Sequence, residues 1–238
     1  AVKELIKKEE IIEPLKDLYK DEVRKVGQNL RLPKEIVWRH PFPGPGLAIR
    51  ILCQERKEKI EILLQREIEK FSNNFVKATT IIPIRTVGVQ GDQRTYTFPL
   101  AIIAKNNWSF LEDISSKITN HFKEINRVIL LVSPKESFKR LKFKKAFLTK
   151  KRIKLAQGAD FLVNQIIKKR GLERKLWQVP VVLLPVGFSG KGESIVLRPV
   201  WSENAMTAEF AKLSWRVVQE ISQKLMHLKG IEAVFYDI

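Results

Sequence analysis

What this chain has little of narrows the field first. It has one cysteine, Cys53, in 238 residues. No internal disulfide can form, so the small disulfide-stapled secreted classes are excluded, and a lone thiol suits a reducing cytoplasm. As a nucleophile Cys53 would need a base and an oxyanion hole, and no local pattern supplies them; a packed thiol is the expectation. The three histidines, His40, His121 and His227, stand far apart with no ligand spacing, so no metal site is expected. No apolar run reaches the ~18 residues of a membrane-spanning helix. The first ten residues mix both charge signs without an apolar core, unlike a secretory signal. Acids are scarce: 26 Asp and Glu stand against 44 Lys and Arg, for a net charge of +18. Anionic partners are therefore expected, whether nucleotide, nucleic acid or an acidic protein surface.

What is present is concentrated. Lys139, Arg140, Lys142, Lys144, Lys145, Lys150, Lys151, Arg152 and Lys154 follow one another with no acid among them. This run reads as a solvated connector or hairpin, or else as an anion-binding tongue. A second concentration is Arg39-His40-Pro41-Phe42-Pro43-Gly44-Pro45-Gly46-Leu47-Ala48-Ile49-Arg50. Proline fixes φ and removes a donor, and glycine opens the φ > 0 region, so this is a stiff, shaped loop with free backbone groups. It serves as a rigid connector or as a surface against which a ligand packs.

Apolar residues make up 44% of the chain, enough for real cores. Residues 13–32 read as a helix, with Glu13-Pro14 at its start, a break near Lys20-Asp21 and a stop at Leu32-Pro33. Glu55 to Asn73 carries an amphipathic stripe of Ile60, Leu63, Leu64, Ile68 and Phe71. An internal repeat follows. Its first copy predicts a strand over Thr79–Val89, a strand over Thr95–Ala104, a helix over Phe110–Phe122 and a strand over Val128–Val132. Its second predicts a leading helix over Gly158–Arg170, strands over Val179–Val186 and Ser194–Val200, a helix over Phe210–Leu225 and a strand over Ala233–Tyr236. Ile82-Pro83-Ile84 corresponds to Leu184-Pro185-Val186, and Asp113–Ile118 to Glu220–Leu225. Each copy is about 80 residues, too small to stand comfortably alone, so the copies are expected to cover each other. The fold class is α+β: two tandem helix–strand–strand–helix–strand subdomains related by a pseudo-two-fold.

Chemistry is most plausible at Arg85-Thr86-Val87-Gly88-Val89-Gln90-Gly91-Asp92-Gln93-Arg94-Thr95-Tyr96. Two glycines, arginines, hydroxyls and a carboxylate surround one turn. It is an ordinary Gly-Asp hairpin turn with a local ion pair, or an anion nest backed by guanidinium forks. The matching loop of copy two, Gly187-Phe188-Ser189-Gly190-Lys191-Gly192-Glu193, lacks Asp-x-Arg. Copy two instead holds Trp177-Gln178-Val179-Pro180 before its first strand, where copy one has no glutamine. The copies have lost complementary parts, as two halves of one composite site would.

These segments resemble the GMP synthetase family. "RHPFPGPGLAIR" resembles the segment ending its ATP-pyrophosphatase domain, and "EPLKDLYKDEVRKVGQNLRLP" the closing segment of such domains generally. "RTVGVQGDQRTY" resembles the C-terminal motif whose Asp and Arg contact xanthosine monophosphate (XMP). The resemblance implies that Asp92, Arg94 and Gln178 bind XMP, with Pro43, Gly44 and Gly46 of the loop closing the site. It implies conversion of XMP to GMP with glutamine-derived ammonia, and ATP and Mg2+ as cofactors of the full enzyme. The Ser-Gly-Gly-x-Asp-Ser loop that grips ATP and the amidotransferase triad are not in this sequence, so the piece alone is expected to be inactive and to bind neither cofactor. The implied division is 1–52 as the pyrophosphatase end, 53–137 as the first repeat, 138–157 as a basic linker and 158–238 as the second repeat. The tandem repeat implies a monomer with a pseudo-dimer inside it. A basic α/β nucleic-acid-binding module is the alternative.

Overall fold

The computed structural model describes residues 11–38, 46–90, 93–135, 137–202 and 209–238. The chain falls into two units, Ala1–Pro41 and Phe42–Ile238. In the first, α1 (Lys20–Asn29) begins where Glu22 reaches back to accept the Tyr19 N–H at 2.7 Å. The turns over residues 14–17 stay outside it, so the helix is shorter than the pattern over 13–32 suggests. A short α2 (Lys34–Val37) follows Pro33. Gly27 on α1 lets Val37 approach to 3.3 Å from where a Cβ would stand.

The second unit is built on one mixed sheet. Copy one supplies β1 (Ala78–Ile81), β2 (Thr86–Gln90), β3 (Gln93–Ile103) and β4 (Ile125–Ser133). Between the copies lies β5 (Lys142–Phe143). Copy two supplies β6 (Val181–Leu184), β7 (Val186–Gly187), β8 (Glu193–Leu197), β9 (Val200–Trp201), β10 (Glu209–Phe210) and β11 (Ile231–Asp237). The sheet order is β1-β3-β4-β11-β8-β6, with β2 also paired to β3. Within each copy the first strand is antiparallel to the second and the second parallel to the third. The third strands, β4 and β11, meet antiparallel. Identical order on both sides of that seam is the expected pseudo-two-fold. The copies cover each other edge to edge, which removes one exposed edge from each half-sheet.

Side chains alternate between two faces, as a strand period of two requires. Leu100, Ile102, Val128, Leu130, Leu183, Ile195 and Tyr236 face one layer, packed with α3 (Ile62–Ser72), α4 (Trp108–His121), α5 (Lys150–Lys169) and α6 (Trp215–Met226). Ala101, Ile129, Leu131, Val196, Ala233 and Phe235 face the other, with Phe138 and Phe188 against them. The register that sets Ile114 on Ile221 also sets Trp108 on Trp215. Those rings stack with centroids 4.0 Å apart, so the pseudo-axis runs between them, and the Trp108 Nε1–H donates to Leu213 O at 2.7 Å.

Several boundaries differ from the sequence reading; α6, for one, begins at Trp215 rather than Phe210, which pairs with Val200 in β10. Residues 55–61 precede the helix, because Gln54 pairs with Ala146 and the Glu58 N–H bonds Pro83 O. The run Thr79–Val89 is two strands: Pro83 has no donor, and the chain bends there from β1 to β2 along the same partner, β3. α5 begins at Lys150 rather than Gly158, because the Thr149 hydroxyl caps the Arg152 N–H at 3.3 Å.

Candidate functional site

One end of the sheet gathers Arg94, Gln178 and Gly46, the candidate residues among those described. There β3, β4 and β6 begin and β8 and β11 finish. Phe98 pairs with Ile125, so Arg94 lies in the part of β3 that projects past the sheet, where it pairs with Val89 of β2; its side chain is exposed. Gln178 stands just before β6, bridged to Val200, whose N–H donates to its carbonyl at 2.8 Å. Gly46, with φ 61°, opens a 3-10 turn that leads into Ile51, and Ile51 bridges Leu183 in parallel. Gly46 therefore enters at the same end. Strands β3 and β6 are four spacings apart in the sheet, roughly 19 Å, so Arg94 and Gln178 stand at the two flanks of this end. Pro43, Gly44 and Asp92 lie outside the described residues.

Between those flanks sits a buried ionic knot. Asp237, at the end of β11, receives Arg127 of β4 at 2.5 Å and is also paired with Arg198 beyond β8. Arg127 also bonds Val87 O at 2.5 Å, and neighbouring Asn126 donates to Thr86 O at 2.5 Å while accepting from the Thr86 hydroxyl at 3.0 Å. The hairpin carrying Arg94 is thus tied to the start of β4. Gly88 is required there, because a Cβ would stand 2.6 Å from Asn126 Cβ. Burial lowers the Arg127 pKa from its ordinary value; Asp237 works against that shift, and neighbouring Arg198 adds to it. Two guanidiniums share one carboxylate, so this knot of three side chains carries one positive charge in excess.

At the opposite end, the second copy's loop closes on itself. Glu232, which follows Ile231 as Asn126 follows Ile125, accepts the Ser189 N–H at 2.8 Å, the Gly192 N–H at 3.0 Å and the Ser189 hydroxyl. Burial raises its pKa, but these hydrogen bonds outweigh burial and hold it below the ordinary carboxylate value. A Cβ at Gly187 or Gly192 would strike that carboxylate, at 2.5 and 2.4 Å. An internal anion thus fills this glycine loop.

A family model for the GMP synthase C-terminal domain matches residues 66–138 and 165–238. The chain belongs to the GMP synthase C-terminal domain family. The two matched stretches fall on the two copies of the repeat. A probable GMP synthase of Leptospira interrogans is 42% identical over 241 positions, covering 100% of this chain and 40% of that protein. A glutamine-hydrolysing GMP synthase of Dictyostelium discoideum is 32% identical, covering 95% of this chain and 39% of that protein. One from Bdellovibrio bacteriovorus is 42% identical over 149 positions, 52% of this chain. The chain spans about 40% of the length of the first two relatives.

Three cations of the basic run of this GMP synthase C-terminal region, Lys144, Lys145 and Arg152, are paired with acids within the protein. Arg152 is buried and grips Glu193 through Nε at 2.8 Å, Leu52 O at 2.8 Å and Phe147 O at 3.1 Å. Lys144 reaches the same Glu193 at 3.0 Å, and Lys145 pairs with Glu55. Sequence reasoning missed this knot and the one around Asp237, because their acids lie far along the chain from the bases.

Proposed function

We propose that this chain is the XMP-binding and self-association region of a GMP synthase, a ligase of purine nucleotide biosynthesis. The whole protein would convert XMP to GMP with ATP, Mg2+ and glutamine-derived ammonia. The observation that carries the reading is the sheet end where the Arg94 hairpin of copy one and Gln178 of copy two flank a surplus of positive charge. Arg94 takes the phosphate as a charge-assisted pair, Gln178 hydrogen-bonds the base, and Asp92 orients Arg94 or binds a ribose hydroxyl. Pro43, Gly44 and Gly46 close the site from the loop side. The complementary losses in the two copies support one site per chain, as does the Glu232 carboxylate that fills the second copy's loop. The sequence holds no loop able to grip ATP, so we derive no step through ATP or Mg2+, and this region alone would not form GMP.

The proposed divisions are 1–52, 53–137, 138–157 and 158–238. The β4–β11 seam makes an internal pseudo-dimer, which supports a monomer in solution. The nucleic-acid alternative loses part of its support, since Arg152, Lys144 and Lys145 of the nine-cation run are engaged within the protein. Isothermal titration with XMP, and with RNA at two salt concentrations, tests the reading. Saturable XMP binding that discriminates against AMP supports it. Salt-sensitive RNA binding without XMP recognition would replace it.

A further inference from the structure

The two outer edges of the sheet are treated differently. Along β6 the edge is covered: the Leu52 N–H donates to Leu183 O at 2.9 Å, Ile51 bridges Leu183 in parallel, and Gln54 pairs with Ala146. Arg50 pins this cover to Asp160 of α5 at 2.5 Å, and Arg152 holds Leu52 O. The correspondence of Ile82 with Leu184 sets Ile81 of β1 on Leu183. At Ile81 no strand lies outside β1 among the described residues. A groove of about 1010 Å³ runs there instead, between α3 and residues 137–143. Gln65 caps the edge with its carboxamide, accepting the Ile81 N–H at 2.9 Å and donating to Thr79 O at 3.4 Å. The walls carry Lys57, Arg66, Lys70, Lys77, Lys139 and Lys142 against Glu61 and Glu69. None of those six cations forms an ion pair among the described residues.

We infer that this groove takes an extended acidic segment of a partner protein, added as a strand beside β1 and parallel to it at Ile81. Three observations converge on that occupant. The two-fold counterpart of the groove already holds a chain segment, Ile51–Leu52, bridged to Leu183 in that register. The edge presents backbone groups that a side-chain amide satisfies, and an incoming strand replaces such an amide with a ladder. Six cations against two carboxylates select an acidic segment over a basic one. Gln65 yields its two hydrogen bonds as the strand enters.

The test is fluorescence anisotropy with a labelled peptide bearing the Ile51–Gln54 sequence between two aspartates on each side. Saturable binding is expected. It should weaken at least tenfold when the aspartates become lysines, when alternate backbone amides of the peptide are methylated, and in the Lys70→Glu/Lys77→Glu variant. The milder Lys70→Gln/Lys77→Gln variant, checked for unchanged melting, should show an intermediate loss. Absence of saturable binding, equal affinity for the lysine-flanked peptide, or indifference to both variants overturns the inference. A concentration-dependent dimer in sedimentation that excludes the probe would give the edge to a second copy and overturn it too.

Discussion

Replacing Arg152 with methionine keeps much of the side-chain volume and removes the guanidinium from the basic run. Its side chain is 7% exposed and that of Glu193 3%. The change leaves the Glu193 carboxylate with Lys144, itself 34% exposed, and strips donors from Leu52 O and Phe147 O. Breaking a buried pair from one side costs about 3–5 kcal/mol, most of it the uncompensated charge. At about 2–4 °C per kcal/mol for a chain of this size, the melting temperature should fall by roughly 6–20 °C. Arg152→Met/Glu193→Leu should recover more than half of that loss, because it removes the orphaned charge as well. Scanning calorimetry of the wild type and both variants measures this. A drop under about 3 °C in the single variant, or a double variant no better than the single, would refute the reasoning. The run would then be the solvated connector its composition suggests.

Three further outcomes are expected. Glu232 has a folded pKa below its ordinary value, so its contribution is present above the unfolded pKa and is lost as pH falls through the folded one. The amide signals of Ser189 and Gly192 should therefore titrate with a midpoint below the ordinary carboxylate range, and Glu232→Gln should abolish that transition. Gly88→Ala forces Asn126 and the hairpin apart and should cost about 1–3 kcal/mol in urea unfolding; an unchanged midpoint would show that the hairpin gives way freely. Trp108→Ala removes the ring stacked on Trp215 at the pseudo-axis and should cost about 3–5 kcal/mol, read from the same urea curves.

The repeat was legible because each copy carries its own apolar pattern. The pairing of Ile-Pro-Ile with Leu-Pro-Val set the register that the sheet uses, and the two helices corresponded residue by residue. The edge-to-edge seam was not legible. Nothing local in Ile125–Ser133 or Ile231–Asp237 says that these strands pair with each other rather than pack face to face. The start of α5 was hidden by charge: Lys150, Lys151 and Arg152 read as a connector, and the acid that neutralises Arg152 lies on β8. For the same reason Asn126 and Arg127 read only as the lead into a strand, although they hold the hairpin that carries Arg94. The candidate site residues were chosen by resemblance and by complementary loss between copies. Neither signal reveals that Asp237 pairs with both Arg127 and Arg198, an arrangement that exists only once the strand ends meet.

The proposal that copy one and copy two build one XMP site is tested most directly by titrating XMP into the isotope-labelled chain and following its backbone amides by NMR. The account predicts that shifts concentrate on residues 86–97 and around Gln178. Arg94→Ala should weaken binding at least tenfold, in line with the roughly 2–5 kcal/mol lost when one partner of a charged hydrogen-bonded pair is removed. Shifts confined to the loop 187–193 at the other end of the sheet, or XMP affinity unchanged in Arg94→Ala, would contradict it.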